Sequence, residues 1–115
     1  MASSPSQSTH RLLSAAASVN ATLIQAGPTT LSGITCVNGA AITYLKLYDK
    51  ATAPTSTDIP RRTIQIPANT AYTYESSLGM LFGLGLGYRL TAAPADADNT
   101  AVAAGAITCL NIDIS

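Results

Sequence analysis

The sequence predicts an all-β fold, a single antiparallel β-sandwich or jelly-roll-like barrel with an extended N-terminal arm. Three observations carry this. From Thr22 to Ile114, short runs alternate apolar and polar residues with the period of two that a half-buried strand needs. Turn residues (Gly27-Pro28, Asn38-Gly39, Pro67) punctuate those runs at short intervals. The chain has 115 residues, 47% of them hydrophobic, which suits one domain with one modest core.

Residues 1–20 read as the arm and 21–115 as the sandwich. The first ten residues, MASSPSQSTH, are polar and without apolar period, so they have little to bury. Arg11 to Ser18 holds Leu12, Leu13 and three alanines, enough for a helical turn and too short for a stable helix. The arm is therefore expected to order against a partner or another subunit. Thr22–Ala26 is the first strand, ended by Gly27-Pro28. Leu31–Val37 follows, closed by Asn38-Gly39, a strong hairpin signal. In Ile42–Tyr48, Leu45 and Leu47 face one way and Lys46 and Tyr48 the other. A one-residue slip would put Lys46 in the core, so this register is well specified.

A long exposed loop, Lys50–Pro60, precedes Arg62–Ile66, which Pro67 stops. Ala68–Thr70 turns into Ala71–Glu75, with Tyr72 and Tyr74 on one face. Met80–Thr91 reads as one long strand, with Phe82, Leu84, Leu86, Tyr88 and Leu90 on one face and Gly83, Gly85, Gly87 and Arg89 on the other. Alternating glycines weaken a strand and need a cause. Two causes stand open: close approach of another backbone or bulky side chain from a neighbour, or strong curvature. Pro94–Ala104 is a loop, and Ile107–Ile114 closes the chain with Leu110, Ile112 and Ile114 inward. That makes about seven strands.

Six basic and six acidic residues cancel, so no excess charge draws the chain to nucleic acid or an anionic membrane. Charged residues are only 10% of the chain, against about 25% in ordinary soluble domains. So bland a surface suits a protein covered by neighbours. The first ten residues lack the features of a secretory signal. The longest apolar stretch, Leu78–Ala93, is interrupted by Arg89 and too short to span a bilayer.

No catalytic or cofactor set emerges. His10 is the sole histidine and falls in the arm, and there is no GxSxG elbow. An enzyme is not expected, nor a cofactor or a metal. Gly83–Gly87 lacks the lysine and following helix of a phosphate loop. Asp96–Thr100 offers alternating oxygens without the glycine and terminal glutamate of a calcium loop, and reads as a solvated turn, with calcium at a subunit junction as a lesser alternative. Asn20-Ala21-Thr22 fits a glycosylation sequon without other signs of secretion. Cys36 and Cys109 lie in strand-like runs without metal spacing. They read as small buried or half-buried thiols, with a mutual disulfide as the alternative.

Five segments carry a resemblance: His10–Thr22 (HRLLSAAASVNAT), Ala26-Gly27-Pro28, Tyr44–Pro54 (YLKLYDKATAP), Ile64–Ala68 (IQIPA) and Thr91–Val102 (TAAPADADNTAV). In this order they resemble small proteins of tailed bacteriophages, some of which look like capsid decoration, or cement, proteins. Arg61-Arg62 and the dense glycines depart from that pattern. The resemblance implies a virion protein on the outer surface of the head, bound to the major capsid protein and assembled in the bacterial host cytoplasm. Partner contacts are expected from the arm (Ser3, Ser4, Pro5, His10, Arg11, Leu12, Leu13), from Arg61 and Arg62 as forked donors to carboxylates, and from Gly85 and Arg89 at a subunit junction. A homotrimer would match the threefold positions of a shell. The alternative is a tail or host-adhesion module that binds carbohydrate, with Tyr44, Tyr48, Tyr72 and Tyr74 as its aromatic faces.

Overall fold

The computed structural model describes residues 8–115. Among these residues there is no helix, and eight strands form two four-stranded sheets. The strands are β1 (Ser8–Leu12), β2 (Thr22–Ala26), β3 (Thr29–Asn38), β4 (Thr43–Asp49), β5 (Arg62–Ile66), β6 (Ala71–Phe82), β7 (Gly85–Thr91) and β8 (Ile107–Ile114). One sheet has the order β1-β8-β3-β6 and the other β2-β7-β4-β5, all pairs antiparallel. The chain changes sheet at almost every connection, and only β4 and β5 are consecutive neighbours within one sheet. This is the jelly-roll form of a β-sandwich.

The core lies between the sheets. Leu31, Ile34 and Cys36 of β3 and Leu110, Ile112 and Ile114 of β8 meet Leu45 and Leu47 of β4, Ile64 and Ile66 of β5, and Leu86, Tyr88 and Leu90 of β7. The expected faces of β4 and β8 are therefore the observed ones. Each fully buried leucine or isoleucine contributes about 1.5–3 kcal/mol. The edge strands β1, β5 and β6 also make contacts across the two sheets. Arg62 of β5 lies over the ring of Tyr74 of β6 at 5.1 Å, and His10 of β1 stands 3.1 Å from the Tyr88 hydroxyl of β7.

Four expectations are corrected. Ser8–Leu12 is a strand on the domain itself, paired along β8 from Ser8 opposite Ile114 to Leu12 opposite Leu110. From there to Asn20 the chain is held by its own body: Ala15 N donates to Ile107 O at 2.9 Å and Leu90 N to Val19 O at 2.7 Å. No helical turn forms, and residues 8–20 do not wait for a partner to order. Second, Asn38-Gly39 is not a hairpin, because it joins β3 in one sheet to β4 in the other. Buried Asn38 holds that crossing, donating from Nδ2 to the carbonyls of Ala41, Ile66 and Pro67 at 2.9, 3.1 and 3.0 Å.

Third, Met80–Thr91 is not one strand. Gly83 and Leu84 form an arch between β6 and β7, in different sheets. The Asp49 carboxylate accepts from the backbone N–H of both, at 3.3 and 2.8 Å. Gly85 leaves the arch at φ +152°, and Leu84, expected inside, is 62% exposed. Fourth, Ala71–Glu75 continues into β6 through an irregularity. Leu31 lies opposite Met80 but Gly33 opposite Glu75, so Ser32 faces the four residues Ser76–Gly79. These four bulge out, with Leu78 fully in solvent at the tip.

Candidate functional site

The two outer sheet faces differ. On the outer face of β2-β7-β4-β5 the central strands β4 and β7 are covered by this chain's own loops, while Thr63 and Gln65 of β5 stay exposed. Lys46 and Arg89 are cross-strand partners there, both wholly buried. Lys46 Nζ donates to the carbonyl of Ala95. Arg89 donates to the Tyr48 hydroxyl at 3.2 Å, to Asp98 O at 2.9 Å and to Asn99 Oδ1 at 2.7 Å. The two cations thus pin the 93–100 loop over the sheet. Burial pushes the Lys46 pKa down, Asp98 and Asp96 oppose this, and Arg89 adds to it. Desolvation would raise the Asp98 pKa, but hydrogen bonds from Thr100 and Ala93 and the charge of Lys46 outweigh it and leave the pKa lowered.

The glycine face is closed by the same chain. A Cβ on Gly85 would stand 2.5 Å from Lys50 O and 2.7 Å from Gln25 O, and one on Gly87 would stand 2.9 Å from Cδ of Pro54. Close approach is therefore the cause of the glycines, and the approaching backbone belongs to this molecule. Gly85 and Arg89, expected at a subunit junction, are both buried and present nothing to a partner. The lysine and arginine need backbone and amide oxygens when buried, which is why a polar loop rather than an apolar layer covers them.

The other expected contact residues separate. Ser3, Ser4 and Pro5 lie outside the described residues. His10 and Leu12 point inward from β1, half-buried, and burial lowers the His10 pKa. Arg11 is exposed opposite Asn111, and Leu13 is exposed just after the strand. Arg61 donates to the carbonyl of Leu81 and lies 5.0 Å over the Phe82 ring. Arg62 lies over Tyr74. Both arginines are exposed, but their planar groups are already engaged within the chain. Of the tyrosines considered for sugar stacking, Tyr48 is buried, and Tyr44, Tyr72 and Tyr74 are half-buried, the last two against the core.

Among the described residues no loop covers the outer face of β1-β8-β3-β6, and the sequence reading missed what it holds. A depression of about 340 Å³ is lined by Ser32, Gly33, Glu75, Ser76, Ser77 and Asp113. Register builds it: Gly33 lies opposite Asp113 on one side and Glu75 on the other. Because Gly33 has no side chain, the Asp113 carboxylate leans over it, 3.3 Å from where a Cβ would sit. The bulge at Ser76–Gly79 forms one wall. Bulges of this kind interrupt pairing and re-aim side chains next to sites. Thr9 donates its hydroxyl to Asp113 Oδ1 at 2.7 Å. On the same face, Asn111 Oδ1 is buried without a hydrogen bond. The signal available in sequence was period two in β8, which turns Asp113 outward; Glu75 and Gly33 join it only through long-range register.

The cysteines are free thiols. Cys36 lies opposite Leu110, and Cys109 opposite Val37, so one points into the core and the other to the outer face. Their Cβ atoms diverge, which a disulfide does not tolerate.

The chain matches no known protein-family model, no curated protein and no solved structure.

Proposed function

We propose that this chain is a phage capsid decoration protein that binds the outer surface of the major capsid protein shell and stabilises the head. The observation that carries the reading is the asymmetry of the two outer faces. One is covered over β4 and β7 by the chain's own loops, with its cations spent on holding them. The other is a sheet face that no loop covers among the described residues, with small residues such as Thr35, Thr73 and Ala71 exposed. A module that works by lying against a large surface needs such a face, and many weak contacts repeated over a shell add up by avidity. Jelly rolls occur in both viral shells and lectins, so the fold alone does not choose. The sequence resemblance supplies the phage head. Tyr72 and Tyr74 pack against the core and Tyr48 is buried, which leaves the carbohydrate-binding alternative with less support.

Copies of the chain are proposed to associate as a homotrimer, with junctions on the bare sheet or at the N-terminal strand rather than at Gly85. A gel of purified virions tests the main reading. Many copies per particle, lost together with head stability when the gene is deleted, is the expected result. A few copies that fractionate with tails would overturn it.

A further inference from the structure

We infer that the free edge of β6 and the adjoining Glu75–Asp113 depression form one docking groove for an extended segment of a partner protein that carries a lysine or arginine. Naming that partner as the capsid protein rests on the decoration reading; the chemistry of the groove does not.

The edge comes first. β6 pairs with β3 alone, and among the described residues the backbone of Ala71–Glu75 makes no hydrogen bond on its other side. Five residues offer about 17 Å of unpaired donors and acceptors, a template for an added strand. Natural edges are normally guarded by charge, proline or bulges. The other edges here follow that rule. β5 lies between Pro60 and Pro67 and carries Arg62, with Arg61 just before it. β1 carries Arg11, and the β2–β7 ladder breaks between Leu23 and Gln25. Ala71–Glu75 has no lysine, arginine or proline, and its bulge comes only after Glu75. The outward residues Ala71, Thr73 and Glu75 are exposed.

Charge then selects the occupant. Asp49 is satisfied by the N–H groups of Gly83 and Leu84, and Asp58 by Lys50 and Thr55. Asp98 is held by Ala93 and Thr100, and Asp96 lies in the loop over Lys46. Glu75 and Asp113 remain, and both line the depression. Asp113 has the Thr9 hydroxyl, and neither carboxylate has an ion pair among the described residues, where the single salt bridge is Lys50–Asp58. Arg11, on the same face, pairs in register with Asn111 rather than Asp113. The backbones of Glu75 and Asp113 are two strand spacings apart, roughly 10 Å. Serine hydroxyls, not a third carboxylate, fill the space between. A flexible ammonium or a forked guanidinium suits that span, whereas one calcium ion draws its ligands within about 2.6 Å.

The test uses the purified chain and amide hydrogen exchange. The probe is an acetylated, amidated seven-residue peptide of alternating threonine and lysine, with its glutamate counterpart as control. The lysine peptide is expected to slow exchange at residues 71–75 and to shift the Gly33 amide, and the glutamate peptide to do neither. Glu75→Gln with Asp113→Asn should raise the half-saturating concentration about tenfold or more, the loss of charge-assisted hydrogen bonds. Thr73→Lys, an edge guard of the wrong sign, should abolish protection. These sites are exposed or half-buried, and asparagine keeps the bond from Thr9. Should Asp113→Asn melt early, Glu75→Gln alone carries the comparison.

Absence of protection would overturn the inference, as would equal protection by both peptides. So would calcium chloride alone shifting Gly33 and displacing the peptide, or residues 71–75 already protected in an oligomer of the free chain. Peptide binding by a chain present in few copies on tails would leave the groove standing and remove the decoration reading. Head attachment by an unsubstituted chain that ignores the peptide, unchanged by the double substitution, would do the reverse.

Discussion

Replacing Gly85 by alanine should damage the fold rather than an assembly. At φ +152° the residue occupies backbone space that a side chain strongly disfavours, a cost of about 1–3 kcal/mol. The added Cβ would also meet two carbonyl oxygens, Lys50 O at 2.5 Å and Gln25 O at 2.7 Å. Neither is the end of a flexible side chain. One belongs to β2 and the other accompanies the bond from Lys50 N to Gly85 O, 3.1 Å long. Shifting them adds about 1–3 kcal/mol of overpacking. The sum, about 2–6 kcal/mol, is a large part of the 5–15 kcal/mol typical of a domain. At about 4 °C per kcal/mol for a chain of this size, Tm should fall by about 8–24 °C. Thermal melts followed by circular dichroism measure this, with light scattering for oligomeric state. Gly83→Ala is the control, since nothing lies within 4 Å of its Cβ. A Gly85→Ala protein that melts with the parent would refute the reasoning. A loss of oligomer at unchanged Tm would return the glycine face to a junction between copies.

Three further outcomes are expected. Arg89→Met removes the donors to Tyr48, Asp98 and Asn99; exchange across residues 93–100 should quicken and stability fall by about 1–3 kcal/mol, read from urea denaturation. Burial lowers the His10 pKa below 6.5, so the unfolded chain binds the proton more readily than the folded one. Stability is therefore full above pH 6.5 and lost as pH falls toward the folded value; His10→Gln should flatten this part of the urea-midpoint profile. Cys36 is pushed up to about 11, first by burial and then by Cys109, so at pH 8 iodoacetamide should label Cys109 first and Cys36 only on unfolding.

Alternation made the cores of β4 and β8 readable, because Leu45, Leu47, Leu110, Ile112 and Ile114 sit on faces that any slip would invert. The same rule failed at Gly83-Leu84. A two-residue arch preserves parity, so Phe82 and Leu86 are both inward although the chain changes sheet between them. Strand β1 escaped notice because STHRL contains a single apolar residue; its pairing with β8, not its own pattern, makes it a strand. Lys46 and Arg89 were correctly turned away from the core, but nothing local told that loops would bury them. The depression depends on Gly33, Glu75 and Asp113 meeting through two ladders, and one sequence does not display that register.

The pairing of β1 with β8 also sets a schedule for synthesis. The central strand β3 and the first described strand, β1, both require β8 as a neighbour, and β8 is made after every other described strand. At roughly 5–20 residues per second, β1 must wait on the order of 5–20 s with its partner edge absent. During that interval the hydrophobic flanks of β3 are open to other nascent chains. Yield on expression should therefore depend on chaperone holding and on temperature more than the stability of the finished sandwich suggests.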